Sequence, residues 1–274
     1  MTNVSILLPL PAPSEFREIA QEIALEAAAL IRAAAKIDRH GVSTKSTGTD
    51  MVTATDKASE ALIVTRIAAA RPHDAILGEE GTDTVGTSGV RWIIDPLDGT
   101  TNFLYGYPGY NVSIAIAVEG VVVAGAVCDV HHNELFSASL GGGATMNGHP
   151  IRCREPASLG TALVATGFGY QPQRRAAQGA VVANIIASVR DIRRGGAAAT
   201  DLCWLACGRV DAYYERGLAP WDFSAGALIA SEAGARVGTL DDAPLTGAFV
   251  VGSTPGIFDP LRELLRGHGA DAVV

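Results

Sequence analysis

Cysteine is scarce in this chain: Cys128, Cys153, Cys203 and Cys207 are the four in 274 residues. They are too few and too scattered for a disulfide framework, which fits a reducing compartment. Positive charge is short as well. Lysine and arginine number 21 against 29 acids, a formal net charge of −8, and a surface of that sign repels nucleic acid and anionic membranes unless it carries a local cation source. No apolar run is long enough to span a bilayer. The most apolar stretch, Val112 to Val127, is broken by Glu119-Gly120 into two β-branched halves and reads as a hairpin. The start lacks a basic segment, and Pro9, Pro11 and Pro13 interrupt its short apolar run, so it reads as a loose tail and not a signal peptide. These absences predict a cytoplasmic protein with neither nucleic acid nor membrane as partner.

What is present is apolar. Side chains are 48% hydrophobic and 18% charged, enough to bury a sizeable core and to exclude a disordered polymer. The length suits one large domain or two closely joined ones, here divided at 1–154 and 155–274. Apolar residues at helical spacing predict a helix from Ser14 to Ile37, stopped by Gly41, then a polar loop to Asp50 and a second helix over Asp56 to Ala70. Strands are predicted at Ala75–Leu77, Val90–Ile94, Asn111–Val118, Val121–Asp129 and Glu134–Ser139, with Asn147-Gly148 as a hairpin turn. After Arg154 strands and helices alternate: strands at Ala162–Thr166, Arg190–Arg193, Asp211–Tyr214, Ala235–Leu240 and Phe249–Gly252, and helices near Arg174–Ser188, Ala197–Cys207, Trp221–Ala233 and Ile257–Arg266. The fold class is therefore an antiparallel-rich α+β half followed by an α/β half.

The chemistry concentrates in Trp92-Ile-Ile-Asp95-Pro-Leu-Asp98-Gly-Thr-Thr-Asn102. A buried strand runs into Asp95, Pro96 is expected to end its ladder, and Asp98-Gly99 turns the chain. Gly99-Thr100-Thr101 is composed to open a helix whose free N–H groups would hold an anion such as phosphate. Carboxylates beside an anion site repel that anion unless metal ions lie between them. Asp-Gly-Thr by itself is more often a surface turn. Its company raises its weight: Gly78-Glu79-Glu80-Gly81 follows an apolar strand, and Pro220-Trp221-Asp222 opens a helix far downstream. Singly these are weak, because Glu-Glu is usually a solvated loop and both Asp56 and Asp222 could serve as helix N-caps.

Together they resemble the inositol monophosphatase family, within the magnesium-dependent, lithium-sensitive phosphatase superfamily. The stretches that carry the resemblance are Trp92 to Phe103, Trp221-Asp-Phe-Ser-Ala-Gly-Ala-Leu-Ile-Ala-Ser-Glu-Ala-Gly234, Lys45 to Asp56, and Asp211-Ala-Tyr-Tyr-Glu215, within about residues 14 to 266. The resemblance implies the layered αβαβα sugar-phosphatase fold and a homodimer. It also implies that Glu79, Asp95 and the carbonyl of Leu97 bind one Mg²⁺, that Asp95, Asp98 and Asp222 bind a second, and that a third, weaker ion sits near Glu79. Thr100, hydrogen-bonded to Asp56, would help Glu79 activate a water for in-line attack. Gly99 and Thr100 would face the phosphate. Gly196, Ala197 and Ala198 would bring backbone to an inositol ring, and Glu215 would accept a ring hydroxyl. This chain has Gly-Gly-Ala-Ala at 195–198 where Val-Gly-Thr-Ala is commoner, which removes a side chain near the ring.

Mg²⁺ prefers oxygen donors, so no histidine cluster is needed, and His131-His132 is expected to sit solvated in a turn. An aspartyl nucleophile is rejected, because Asp95 and Asp98 are separated by two residues where that chemistry uses one. Cys203 and Arg209 have the Cys-x₅-Arg spacing of cysteine phosphatases, yet they fall on a helical pattern, and buried structural cysteines are the better reading. The expected activity is hydrolysis of inositol 1-phosphate or a related small polyol phosphate. Rivals with the same metal site act on fructose 1,6-bisphosphate, histidinol phosphate or 3′-phosphoadenosine-5′-phosphate. A rival of another class is an interaction protein with incidental phosphatase activity.

Overall fold

The structure, a computed structural model, describes residues 10–36, 42–44, 51–156 and 158–271. Helix α1 (Pro13–Ala34) buries Phe16, Ala20, Ile23, Ala27 and Ile31 on one face. It ends three residues before the expected Ile37, which lies outside the described residues together with Gly41. Strand β1 (Val42–Thr44) falls inside the segment expected to be a loop and pairs antiparallel with β2 (Met51–Thr53), which follows that segment directly. Helix α2 (Ala54–Ala70) starts two residues earlier than expected because Thr53, not Asp56, is its N-cap. Asp56 occupies the third helical position and closes a capping box with the Thr53 backbone N–H at 2.9 Å.

There follow β3 (Ala75–Gly78), β4 (Asp83–Thr84), β5 (Val90–Asp98), the short α3 (Thr100–Tyr105), β6 (Asn111–Val118), β7 (Val121–Asp129), β8 (Glu134–Ser139), β9 (Gly143–Met146) and β10 (His149–Pro150). They build an eight-stranded sheet of order β10-β9-β8-β7-β6-β5-β3-β4. Only β3 and β5 run parallel in it. The Asn147-Gly148 turn joins β9 to β10 with φ of 49° and 78°, the left-handed pair a tight hairpin requires.

The second half contributes β11 (Leu163–Thr166), α4 (Pro172–Ile185), β12 (Asp191–Arg193), α5 (Ala198–Ala206), β13 (Ala212–Arg216), α6 (Pro220–Glu232), β14 (Arg236–Gly238), β15 (Phe249–Ser253) and α7 (Pro255–Gly267). Its five-stranded sheet has the order β12-β11-β13-β15-β14, with β12, β11 and β13 parallel and β15 antiparallel to both neighbours. β14 is shorter than the expected Ala235–Leu240. The Thr239 hydroxyl turns the chain out of the ladder toward Asp241 and the Ala243 carbonyl.

Side-chain alternation along the strands makes the layers. On β6, Val112, Ile114 and Ile116 join the core under α1 and α2, whereas Ala115 and Ala117 face α5 and α6. On β13, Tyr213 joins that central core, and Ala212 and Tyr214 face α4 and α7. The order is helix pair, large sheet, helix pair, small sheet, helix pair, which is the αβαβα arrangement expected. Gly125 on β7 lets α6 approach: a Cβ there would lie 3.1 Å from the Ala225 Cα. That contact, with the Ser113 hydroxyl donating to the Trp221 carbonyl at 3.1 Å, sets the start of α6 against β6.

Candidate active site

Pro96 does not end β5. The strand continues to Asp98, with the register slipping between Asp95, opposite Ser113, and Asp98, opposite Asn111. A bulge accommodates the proline and re-aims the neighbouring side chains. The Ser59 hydroxyl holds the Pro96 carbonyl at 2.8 Å, and Asp95 Oδ1 accepts the Leu97 N–H at 3.1 Å. Asp98 Oδ2 accepts from Asn111 Nδ2 at 2.8 Å and from the Ala199 N–H at 3.1 Å. Gly99 takes φ +86° as the N-cap of α3, and a Cβ there would strike the Gly109 carbonyl at 2.8 Å. The Thr100 hydroxyl lies 2.9 Å from Asp56 Oδ1 and 3.1 Å from the Leu97 carbonyl. Asp56 is fully buried beneath it.

Glu79 follows β3, where its N–H donates to the Ile94 carbonyl at 3.2 Å. The turn that presents it is shaped by Glu60 of α2, which accepts the N–H groups of Glu80 at 2.8 Å and Thr82 at 3.1 Å. A Cβ on Gly78 would meet Glu60 Oε2 at 2.6 Å, which accounts for the glycine before the acidic pair. Asp222 lies in the first turn of α6, where its carboxylate accepts the Ala219 N–H at 2.7 Å; Ala219, not Asp222, is the N-cap. Glu215 ends β13, accepts the Tyr213 hydroxyl at 2.8 Å and sits where a Cβ on Gly167 would be.

These groups meet at a polar cavity of about 320 Å³ lined by Glu79, Asp95, Leu97, Asp98, Gly99, Thr100, Gly196, Ala198, Glu215 and Asp222. Ala197 is buried behind it, and Asp56 reaches it through Thr100. A larger, more apolar cavity of about 750 Å³ lies between β5, β6 and α6, but it collects none of these acids. The acids repel one another. Burial first, then the charges of Glu79, Asp98 and Asp222, push the Asp95 carboxyl well above the usual range. Burial takes Asp98 to about 7 against the hydrogen bonds from Asn111 and Ala199, and takes Glu215 to about 7 against the bond from Tyr213.

Such a cluster asks for cations. Carboxylate and carbonyl oxygens are the donors a hard divalent ion prefers, so the residues fit Mg²⁺. Among the described residues no three His, Cys, Asp or Glu side chains are drawn together closely enough to hold a metal ion by themselves. Mg²⁺ suits an open site, because it keeps several waters and takes one or two carboxylates together with a substrate phosphate.

A test follows from the sign of the shifts. Without metal, Asp98 and Glu215 hold protons in the fold that the unfolded chain has already lost, from their ordinary range near 4 up to about 7. Their contribution is full at low pH and disappears as pH rises through about 7. Chelator-treated protein should therefore melt several degrees higher at pH 5 than at pH 8, roughly the scale of a few kcal/mol in a domain this size, and Mg²⁺ at pH 8 should restore most of the difference. Equal melting at both pH values would remove this account of the site.

The structure also locates residues that spacing did not reveal. Asn111, Ser59, Glu60, Tyr213 and Gly167 orient the acids, and Arg174, Arg194 and Arg216 line the cavity wall. Only Tyr213, inside Asp211–Glu215, and Arg194, beside the glycine pair, lie in or next to a sequence segment that advertises chemistry. Cys203 is buried within α5, its thiol pushed well up by burial, and Arg209 pairs with Glu134 at 2.5 Å. Cys207 and Cys153 are half-buried, not fully buried. His131 and His132 are exposed in the β7–β8 turn as expected, with His132 Nδ1 2.8 Å from Asp129 Oδ2.

Layered sheets and helices around an acid-lined, phosphate-sized cavity define a class: hydrolases that work on anionic substrates at a carboxylate site. The family model described as "Inositol monophosphatase family" matches residues 12–268, and the chain belongs to that family of phosphatases. It is 45% identical over 275 residues to "Inositol-1-monophosphatase SuhB" of Mycobacterium tuberculosis, covering 93% of this chain and 94% of that one. The solved "Mycobacterium tuberculosis SuhB" superimposes with a TM-score of 0.84 at 42% identity, covering 96% of this chain and 100% of that one. "Nus factor SuhB" of Vibrio cholerae is 40% identical over 236 residues, 85% of this chain and 88% of that protein. Among the described residues no helix is long and apolar enough to cross a membrane.

Proposed function

We propose that the protein is a Mg²⁺-dependent phosphomonoesterase that hydrolyses inositol 1-phosphate, or a closely related polyol phosphate, to the free alcohol and inorganic phosphate. The observation that supports this most is the meeting of Glu79, Asp95, Leu97, Asp98, Thr100, Glu215 and Asp222 at one cavity, in a chain of this family. Two to three bound Mg²⁺ ions would be held by Glu79, Asp95, the Leu97 carbonyl, Asp98 and Asp222, and would supply charge neutralisation and an acidified water. Glu79 and the Thr100 hydroxyl, backed by Asp56, orient the attacking water and take up its proton. The first N–H groups of α3, from Gly99 onward, face the phosphate, because a helix start leaves them without intrahelical partners. The phosphorus–oxygen bond to the alcohol breaks opposite the incoming water, and the departing oxygen takes a proton from solvent water to leave as the free alcohol, while the proton held at Glu79 returns to solvent. Gly196, Ala197 and Ala198 bring backbone to the ring, and Glu215 accepts one of its hydroxyls. The two halves of the chain, 1–154 and 155–274, would each contribute one side of this site, and we infer a cytoplasmic homodimer.

The test is a phosphate-release panel with and without Mg²⁺. Inositol 1-phosphate should lead, turnover should vanish with chelator, and Li⁺ at about millimolar concentration should inhibit by replacing a weakly held ion. No release from any substrate with Mg²⁺ would end the reading. Fructose 1,6-bisphosphate belongs in the panel, because Arg174, Arg194 and Arg216 on the cavity wall favour an anionic substrate with a second charged group; histidinol phosphate and 3′-phosphoadenosine-5′-phosphate complete it. The name of the Vibrio cholerae relative, Nus factor SuhB, supports a second reading, a partner role separate from turnover. A turnover-silent variant that still complements loss of the gene would favour it. The net charge of −8 argues against direct nucleic-acid binding in that role.

A further inference from the structure

Asp201 is a buried carboxylate that the reaction does not use. It lies in the first turns of α5 at 1% exposure, and neither of its oxygens completes a hydrogen bond among the described residues. A carboxylate desolvated in this way costs stability, so its retention points to a task other than packing. Its surroundings identify the task. Burial first, then the charges of Glu215 and Asp98, push the Asp201 carboxyl well above the usual range, against the smaller pull of the Arg194 guanidinium and of the Gly195 N–H that faces it. A Cβ on Gly195 would lie 2.5 Å from Asp201 Oδ1, and its next nearest atoms also belong to Asp201. Gly195 has no positive φ, so Asp201 and not backbone conformation demands glycine there. On the other side of the same peptide, Asn102 Nδ2 donates to the Gly195 carbonyl at 2.9 Å and to the Gly109 carbonyl at 2.7 Å. Gly195 is thus held between two buried polar side chains, immediately before the Gly196–Ala198 backbone.

We propose that Asp201 is a positioning residue for polyol recognition. It limits how far the 194–198 segment can retreat from the cavity, and with Asn102 it fixes the backbone that meets the substrate ring. The proposal rests on the reading that 196–198 and Glu215 contact the ring. It assigns Asp201 no contact with substrate, and therefore no effect on an ester that lacks ring hydroxyls.

Asp201→Leu keeps the branched outline at a larger volume and removes the polar group that faces the Gly195 N–H. Its KM for inositol 1-phosphate should rise about tenfold with kcat little changed, and the ratio of kcat/KM for inositol 1-phosphate to that for p-nitrophenyl phosphate should fall about tenfold, the scale of one lost polar contact. Asp201→Asn keeps the size and an oxygen toward the Gly195 N–H, and should recover most of the ratio. Gly195→Ala should lower the ratio too, and by less in an Asp201→Ala background, where the new methyl meets no carboxylate. That pair keeps the proposal testable should Asp201→Leu fail to fold. Equal losses on both substrates, an Asp201→Asn as impaired as Asp201→Leu, or a Gly195→Ala effect that ignores the background would each overturn it. Glu215→Gln is measured beside them. If that variant keeps its discrimination, the ring-site reading itself fails; if it loses discrimination while Asp201→Leu does not, only the role of Asp201 fails.

Discussion

Replacing Asp98 with asparagine is expected to lower kcat/KM for inositol 1-phosphate by about 10³-fold, the scale on which a single preorganised electrostatic group acts at a reacting centre. The fold should survive. Asp98 Oδ2 serves two structural donors, Asn111 Nδ2 and the Ala199 N–H, and an amide oxygen can accept both. The other oxygen becomes an NH₂ group, which has no lone pair to offer a cation. The substitution also removes one of the carboxyls that burial holds at about 7. Chelated Asp98→Asn should therefore show a smaller fall in melting temperature between pH 5 and pH 8 than the wild type. Turnover near wild type with a normal melting curve would sink the assignment of Asp98 to the metal site. Activity loss with collapse of the fold would assign it to structure.

The second large effect concerns selectivity. Glu215→Gln should cost roughly 1.5–3 kcal/mol, about 10- to 150-fold in kcat/KM, toward inositol 1-phosphate if a charge-assisted hydrogen bond to the ring survives into the transition state. Toward p-nitrophenyl phosphate, which has no ring hydroxyls, it should cost little. The new side chain has every reason to stay in place: its carbonyl oxygen can accept the Tyr213 hydroxyl, now 2.8 Å from Glu215 Oε2, and Gly167 leaves room for it. The measurement is kcat/KM for both substrates at saturating Mg²⁺. Equal losses would mean that Glu215 supports the metal site or the fold, and the substrate contact would be wrong.

Local chemistry made much of this protein legible before folding. Short apolar, β-branched runs bounded by turn residues set β6, β7 and β8 to the residue, because strands covered on both faces read as near-continuous apolar runs. The acids at 79, 95, 98 and 222 could be named because glycine, proline and threonine mark the turns that carry them. The sequence could not show that Pro96 lies inside β5. A bulge is a property of two paired strands, and its partner residues, Asn111 and Ser113, arrive from a later strand. Nor could it say that Thr53 would take the cap; the hydrogen bond from Thr100 to Asp56, 44 residues away, is implied by the family resemblance and by no local pattern.

The sequence by itself determined which oxygen donors exist, the turn at Gly99, the apolar strands and helices, and the family. Only the tertiary structure decided which side chains those donors lean on. Asn111 and Ala199 at Asp98, Glu60 under the Glu79 turn, Tyr213 and Gly167 around Glu215, and Asp201 behind Gly195 come from different layers of the fold. Hydrogen bonds and close contacts act over about 3 Å. Whether two groups far apart in the chain come that close depends on how the sheets and helices stack, and no local pattern contains that information.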